Sequence, residues 1–319
     1  MLVDMKLPEL LKYEGRTPKP ADMDAYWERA LHTMRALGTD CRLEKAEFQA
    51  PRIDCYELYF TGVGGALIHA KFARPAVVRG KCPAVLMFHG YSGDAGGWID
   101  KIAYAGAGFV VAALDCRGQG GHSEDVGGIK GNTLNGHIIR GLDDPDPDKL
   151  LMRDIFLDTA QFARIVMAMD EVDALRVGAT GGSQGGGLTL ACAALVPELN
   201  RAAPMMPFLC DYLRVWEMDL AKSAYAEIKD YFRHFDPTHR RANEAFEKLG
   251  YVDNIHLAHR IRAEVLMATG MMDEVCPPST QFAAYNKIPS KKDVMIYPDF
   301  AHEDYPGWSD AVFQFMLGM

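Results

Sequence analysis

The sequence predicts an α/β fold with a mostly parallel central sheet covered by helices on both faces, and three observations predict it. Five short apolar, β-rich runs follow one another: AVLMF (84–88), FVVAAL (109–114), LRVGAT (175–180), EVLMAT (264–269) and DVMIYP (293–298). Strands buried on both faces are continuously apolar rather than alternating. Helical patterns lie between the runs, clearest in RDIFLDTAQFARIVMAMDEV (153–172), and alternating strands and helices make parallel units. Third, Gly181-Gly182-Ser183-Gln184-Gly185 stands where a strand gives way to an apolar helix.

Taken in chain order, residues 22–37 space apolar side chains as a helix does and end before Gly38, a stop signal. CYELYFTG (55–62) and GALIHAKFA (65–73) alternate around a glycine turn and predict a hairpin. The parallel units follow. Residues 207–262, rich in Trp, Tyr, Phe, Arg and His, fall between two strands and predict a helical insertion that packs against the sheet or shapes a site. There is no repeat or low-complexity stretch, so residues 1–319 are expected to form a single domain containing that insertion.

A formal net charge of −9 disfavours nucleic acid, which needs clustered Lys and Arg. The cysteines, at 41, 55, 82, 116, 192, 210 and 276, are odd in number, scattered and never spaced C-x-x-C. That pattern is neither a disulfide framework nor a zinc site and suits a reducing compartment. Charges interrupt every apolar run of the first fifteen residues, and no run approaches the roughly 20 residues of a membrane span. The expectation is a cytoplasmic protein with no membrane partner. GHSED (121–125) fits no common zinc or calcium spacing, and DDPDPD (143–148) lacks the glycine and final Glu of a calcium loop. No G-x-G-x-x-G follows the first parallel strand, so neither a metal nor a dinucleotide is expected.

Gly181 to Gly185 match G-x-S-x-G, in which the serine occupies a sharp strand-to-helix turn closed by small neighbours. Ser183 is therefore the expected nucleophile. A serine hydroxyl needs a base, and the base an orienting carboxylate, in the chain order serine, acid, histidine. Of the histidines that follow, His234, His239, His256 and His259 fall in the insertion, whereas His302 comes directly after the last strand. His302 is the expected base. Asp273, in the loop beyond EVLMAT, is the expected acid, with Glu274 and Asp299 as rivals. The oxyanion needs two backbone donors. Gln184, after the nucleophile, and Tyr91, in the loop after the first parallel strand, fill those positions; His89 is expected to be structural. Arg117, just past a strand, is expected to pair with a carboxylate and brace neighbouring loops.

Three ordered motifs, Arg117-Gly118-Gln119-Gly120, Gly181 to Gly185 as G-x-S-Q-G, and His302-Glu303, give the chain a family likeness, and GMMDEVCPPSTQFAAYNKI around Asp273 adds to it. The chain resembles the acetyl xylan esterase and cephalosporin C deacetylase family, carbohydrate esterases of family seven on the α/β-hydrolase fold. The resemblance covers nearly the whole chain and shows no departure at the catalytic positions. It implies deacetylation of acetylated sugars or xylo-oligosaccharides, with cephalosporin C as a further substrate. It also implies Ser183, Asp273 and His302 as triad, Tyr91 and Gln184 as oxyanion donors, and support from Arg117, Gly118, Gln119, Gly181, Gly185 and Glu303. A ring-like homohexamer with sites facing an internal chamber is implied in the same way. The alternatives are a peptidase or longer-chain esterase of the same fold, and a non-catalytic binding protein.

Overall fold

The computed structural model describes residues 3–125 and 132–319. In chain order its strands are β1 (Arg42–Lys45), β2 (Ile53–Thr61), β3 (Leu67–Pro75), β4 (Cys82–Phe88), β5 (Val110–Leu114), β6 (Val172–Gly182), β7 (Arg201–Met205), β8 (Glu264–Gly270) and β9 (Lys292–Tyr297). All nine form one sheet in the order β1-β2-β3-β5-β4-β6-β7-β8-β9. The β1–β2, β2–β3 and β3–β5 pairs are antiparallel, and every pair from β5–β4 through β8–β9 is parallel.

The unbroken apolar runs have a direct cause. Ala84, Leu86 and Phe88 of β4 face one core with Val110, Ala112 and Leu114 of β5, while Val85 and Val111 face the other. The first core is closed by Tyr26 and Trp27 of the Met23–Arg35 helix, Phe156 of Leu151–Met167 and Leu188 of Gln184–Leu195. Tyr104 of the Ile99–Gly106 helix and Trp308 and Val312 of Trp308–Leu317 close the second. A strand with both faces dry has no place for alternating polar residues.

The five predicted strands and the hairpin are present with boundaries shifted by up to three residues at each end. Two strands gave no usable signal. β1 is Arg-Leu-Glu-Lys, an exposed edge with one apolar residue, and β7 is short and carries Pro204, which removes a ladder donor from a central strand. The long helix ends at Met167, because Val172 already begins β6.

Between β7 and β8 lie the helices Tyr212–Glu217, Ala226–Phe235, Ala242–Leu249 and Asn254–Leu257. They are stitched to the N-terminal segment. Asp211 accepts from the Tyr13 hydroxyl and from the N–H groups of Arg16 and Thr17, each at 2.8 Å, and Trp27 Nε1 donates to the Tyr251 carbonyl at 2.9 Å. All seven cysteines are free thiols, and no helix among the described residues is long and apolar enough to cross a membrane. β4 lies between β5 and β6, so the loops leaving β4 and β6 part at the carboxyl ends of neighbouring strands. Open α/β sheets place ligands in such crevices.

Candidate active site

Ser183 connects β6 to the Gln184–Leu195 helix with φ 57° and ψ −119°. Outside glycine such a conformation stores on the order of 1–3 kcal/mol of strain. The surroundings enforce it. The Ser183 N–H donates to the Met205 carbonyl at 3.0 Å, and its carbonyl accepts from Phe208 N–H at 3.0 Å. The flanking glycines are a steric necessity: a Cβ on Gly181 would lie 2.4 Å from the Phe88 oxygen, and one on Gly185 only 2.0 Å from it.

The loops after β8 and β9 bring two further side chains to this turn. His302 Nε2 lies 3.0 Å from Ser183 Oγ, and its Nδ1 lies 2.8 Å from Asp273 Oδ2. Asp273 is fully buried, and its Oδ1 accepts the N–H groups of Val275 and Cys276, both at 2.8 Å. An ionised carboxylate only accepts, so Nδ1 carries the proton given to Asp273 and Nε2 is left to accept from the serine hydroxyl. The rival acids Glu274 and Asp299 are exposed. His234, His239 and His259 are exposed in the insertion, and His256 is buried with Nε2 donating to the Thr17 carbonyl at 3.0 Å. The structure thus brings Ser183, Asp273 and His302 together and leaves the other acids and histidines outside.

The loop after β4 passes close to Ser183, since a Cβ on Gly90 would lie 4.0 Å from Ser183 Cβ. Tyr91 follows, and its N–H makes no hydrogen bond among the described residues. The Gln184 N–H is the first of its helix and has no partner within it. Gln119 ties these two loops together. Its side-chain amide pairs with that of Gln184 through bonds of 2.7 and 2.9 Å, and its Oε1 accepts from Ser92 N–H at 2.9 Å.

Arg117 is fully buried. Its Nε and Nη2 each reach Asp158 at 2.6 Å, and Nη1 donates to the Val63 carbonyl at 3.0 Å, the arrangement of an anchor. Gly118 takes φ 72°, and a Cβ there would meet His137 Nε2 at 2.9 Å. His89 accepts Cys116 N–H at Nε2, 2.9 Å, and donates from Nδ1 to the Gly90 carbonyl, 2.7 Å, so both ring nitrogens hold backbone. Exposed Glu303 accepts Ala301 N–H at 3.0 Å and shapes the turn that carries His302.

Sequence reasoning missed Cys276. Its thiol belongs with Asp273 and His302 to a group whose donor atoms lie within 4.8 Å of one another. Burial first, then the Asp273 charge, push this thiol well up, and the imidazole and carboxylate are already bonded to each other. The available signal was its position three residues after Asp273, where its N–H reaches that carboxylate. GHSED is an irregular segment stitched to the sheet: Ser123 Oγ donates to the Asp115 carbonyl at 2.7 Å, and Glu124 N–H donates to the Leu67 carbonyl at 2.8 Å.

The family model described as acetyl xylan esterase (AXE1) matches residues 1–319. Among solved structures, acetyl xylan esterase 1 from Thermoanaerobacterium sp. JW/SL YS485 is 59% identical, with a TM-score of 0.95 and 99% of each chain covered. The acetyl xylan esterase from Paenibacillus sp. R4 is 33% identical, with a TM-score of 0.91, covering 98% of this chain and 99% of that one. Acetyl esterase Axe7A from Xylanibacter ruminicola is 27% identical over 307 residues, 92% of this chain; the chain spans 66% of that relative's length.

Proposed function

Because the chain belongs to the acetyl xylan esterase family, matching its model from residue 1 to residue 319, we propose that it is a serine carboxylesterase that removes acetyl groups from acetylated sugars or xylo-oligosaccharides. The observation that carries this reading is the hydrogen-bonded chain Ser183–His302–Asp273, at 3.0 and 2.8 Å. His302 Nε2 takes the Ser183 proton as Oγ attacks the acetyl carbonyl, and Asp273 holds the imidazole and stabilises the imidazolium. The Tyr91 and Gln184 N–H groups receive the oxyanion. The sugar alcohol leaves with the proton from His302, and water repeats the sequence on the acetyl-enzyme, releasing acetate and restoring the serine.

Arg117, Gly118, Gln119, Gly181, Gly185 and Glu303 act as supports that hold these loops in place, within a single domain whose 207–262 helices form an insertion. The same reading includes a ring-like homohexamer, a cytoplasmic location, and cephalosporin C as a further acetyl ester substrate. The test is acetate release from acetylated xylo-oligosaccharides beside simple sugar acetates, with a nitrophenyl ester series and a peptide amide. Acetyl esters are expected to turn over fastest and the amide not at all. Preference for long acyl chains, or amide cleavage, contradicts the proposal.

A further inference from the structure

Glu227 lies on the Ala226–Phe235 helix of the insertion and takes no part in the triad. It is 6% exposed, and no lysine or arginine pairs with it among the described residues. An unpaired buried carboxylate is expensive unless hydrogen bonds satisfy it. Here backbone donors do so. Glu227 Oε1 accepts from Gly136 N–H at 2.8 Å, and Oε2 accepts from Ile138 N–H at 2.9 Å and Ile139 N–H at 3.4 Å. The Tyr91 hydroxyl also donates to Oε1.

The Tyr91 side chain is thus held at both ends. Its oxygen also accepts His137 N–H at 3.1 Å. Its ring stands edge-on to His137, with centroids 5.7 Å apart, and packs on Phe208 at 5.8 Å. Holding the ring and the hydroxyl fixes the peptide from which they project. That peptide's N–H is the donor assigned above to the oxyanion, and such donors act only when held near their productive geometry.

We propose that Glu227 is a positioning residue for acyl transfer: by gripping the Tyr91 hydroxyl, it aims the Tyr91 N–H at the oxyanion and makes the insertion part of the catalytic apparatus. The inference rests on the assignment of Tyr91 as an oxyanion donor.

The test uses the full chain, as Glu227→Gln, Tyr91→Phe and the double variant, with nitrophenyl acetate as substrate. Losing an oxyanion donor outright lowers kcat by about 10²–10³, so misaiming one is expected to lower it about tenfold in each single variant. KM is expected to stay within about twofold, because the lost contact is made in the transition state. The double variant is expected to be no slower than the slower single. A trifluoromethyl ketone should lose affinity in parallel with kcat, a response that a merely structural role would not give. If Glu227→Gln does not fold, Tyr91→Phe alone still decides, because it removes only the gripped hydroxyl. An unchanged kcat in Tyr91→Phe, losses that multiply in the double variant, or a change confined to KM overturns the proposal. Ser183→Ala, run beside them, separates the two readings. An active Ser183→Ala sinks the esterase mechanism itself, whereas an inactive one beside fully active Glu227→Gln and Tyr91→Phe sinks only the positioning role.

Discussion

Two histidine–carboxylate pairs sit near the same end of the sheet and differ in what lies beyond the ring. His302 Nδ1 is 2.8 Å from Asp273 Oδ2, and His69 Nδ1 is 2.6 Å from Asp115 Oδ2. Both carboxylates are buried, and both accept two backbone N–H groups: Val275 and Cys276 for Asp273, Ala95 and His122 for Asp115. Beyond the ring, His302 Nε2 faces the Ser183 hydroxyl, whereas His69 Nε2 meets a second carboxylate, Glu57, at 2.8 Å. The His302 side chain is 23% exposed and that of His69 1%. Burial alone would lower the basicity of His69, but the bonds to Asp115 and Glu57 outweigh it and raise its pKa. Flanked by two acceptors, His69 keeps its protons and works as a clamp. A histidine–aspartate bond is therefore common to both pairs; what sets apart His302, the proposed base, is a neutral hydroxyl on the far nitrogen and an opening to solvent.

The strongest challenge to this comparison removes the hydroxyl. Ser183→Ala should lower kcat for acetate release by at least about 10³-fold with an unchanged melting temperature, since a triad works as a unit. Near-normal release would place the chemistry elsewhere.

Matched amides come next. Asp273→Asn should lower kcat by roughly 10²–10⁴-fold, because the amide favours the wrong imidazole tautomer. Asp115→Asn should instead destabilise the fold by about 3 kcal/mol, the scale of a broken buried pair, as read from denaturant unfolding. A large kcat loss from Asp115→Asn with an intact fold would erase the distinction.

The smallest effect is one of acidity and concerns His69. Its pKa is raised in the folded state, so its stabilisation is fully present below about 6.5, the unfolded value, and is lost as pH rises through the higher folded value. Melting temperature should therefore decline on that alkaline side, and His69→Gln should flatten the decline.

The convergence of Ser183, Asp273 and His302 was legible because each stands at a strand end that the apolar runs marked. Gly181 and Gly185 were legible for a steric reason, the close approach of the Phe88 carbonyl. Arg117 was legible as an anchor, but its partner Asp158 lies 41 residues away in a helix whose pattern announces only packing. The His69–Asp115 clamp was invisible for the same reason: 46 residues separate its members, and no motif joins them. Glu227 carried no local signal, since its donors are backbone groups 88 to 91 residues earlier and the hydroxyl of Tyr91. β1 and β7 escaped because an exposed edge and a proline-bearing strand lack the apolar run that marked the others.

The proposed activation of Ser183 by His302 is checked by labelling with a fluorinated organophosphonate and mapping the adduct by peptide mass spectrometry. One adduct is expected, on the peptide bearing Ser183, absent from Ser183→Ala, greatly slowed in His302→Ala and formed at the normal rate by folded His69→Gln. Undiminished labelling of His302→Ala, or an adduct on another residue, would contradict it.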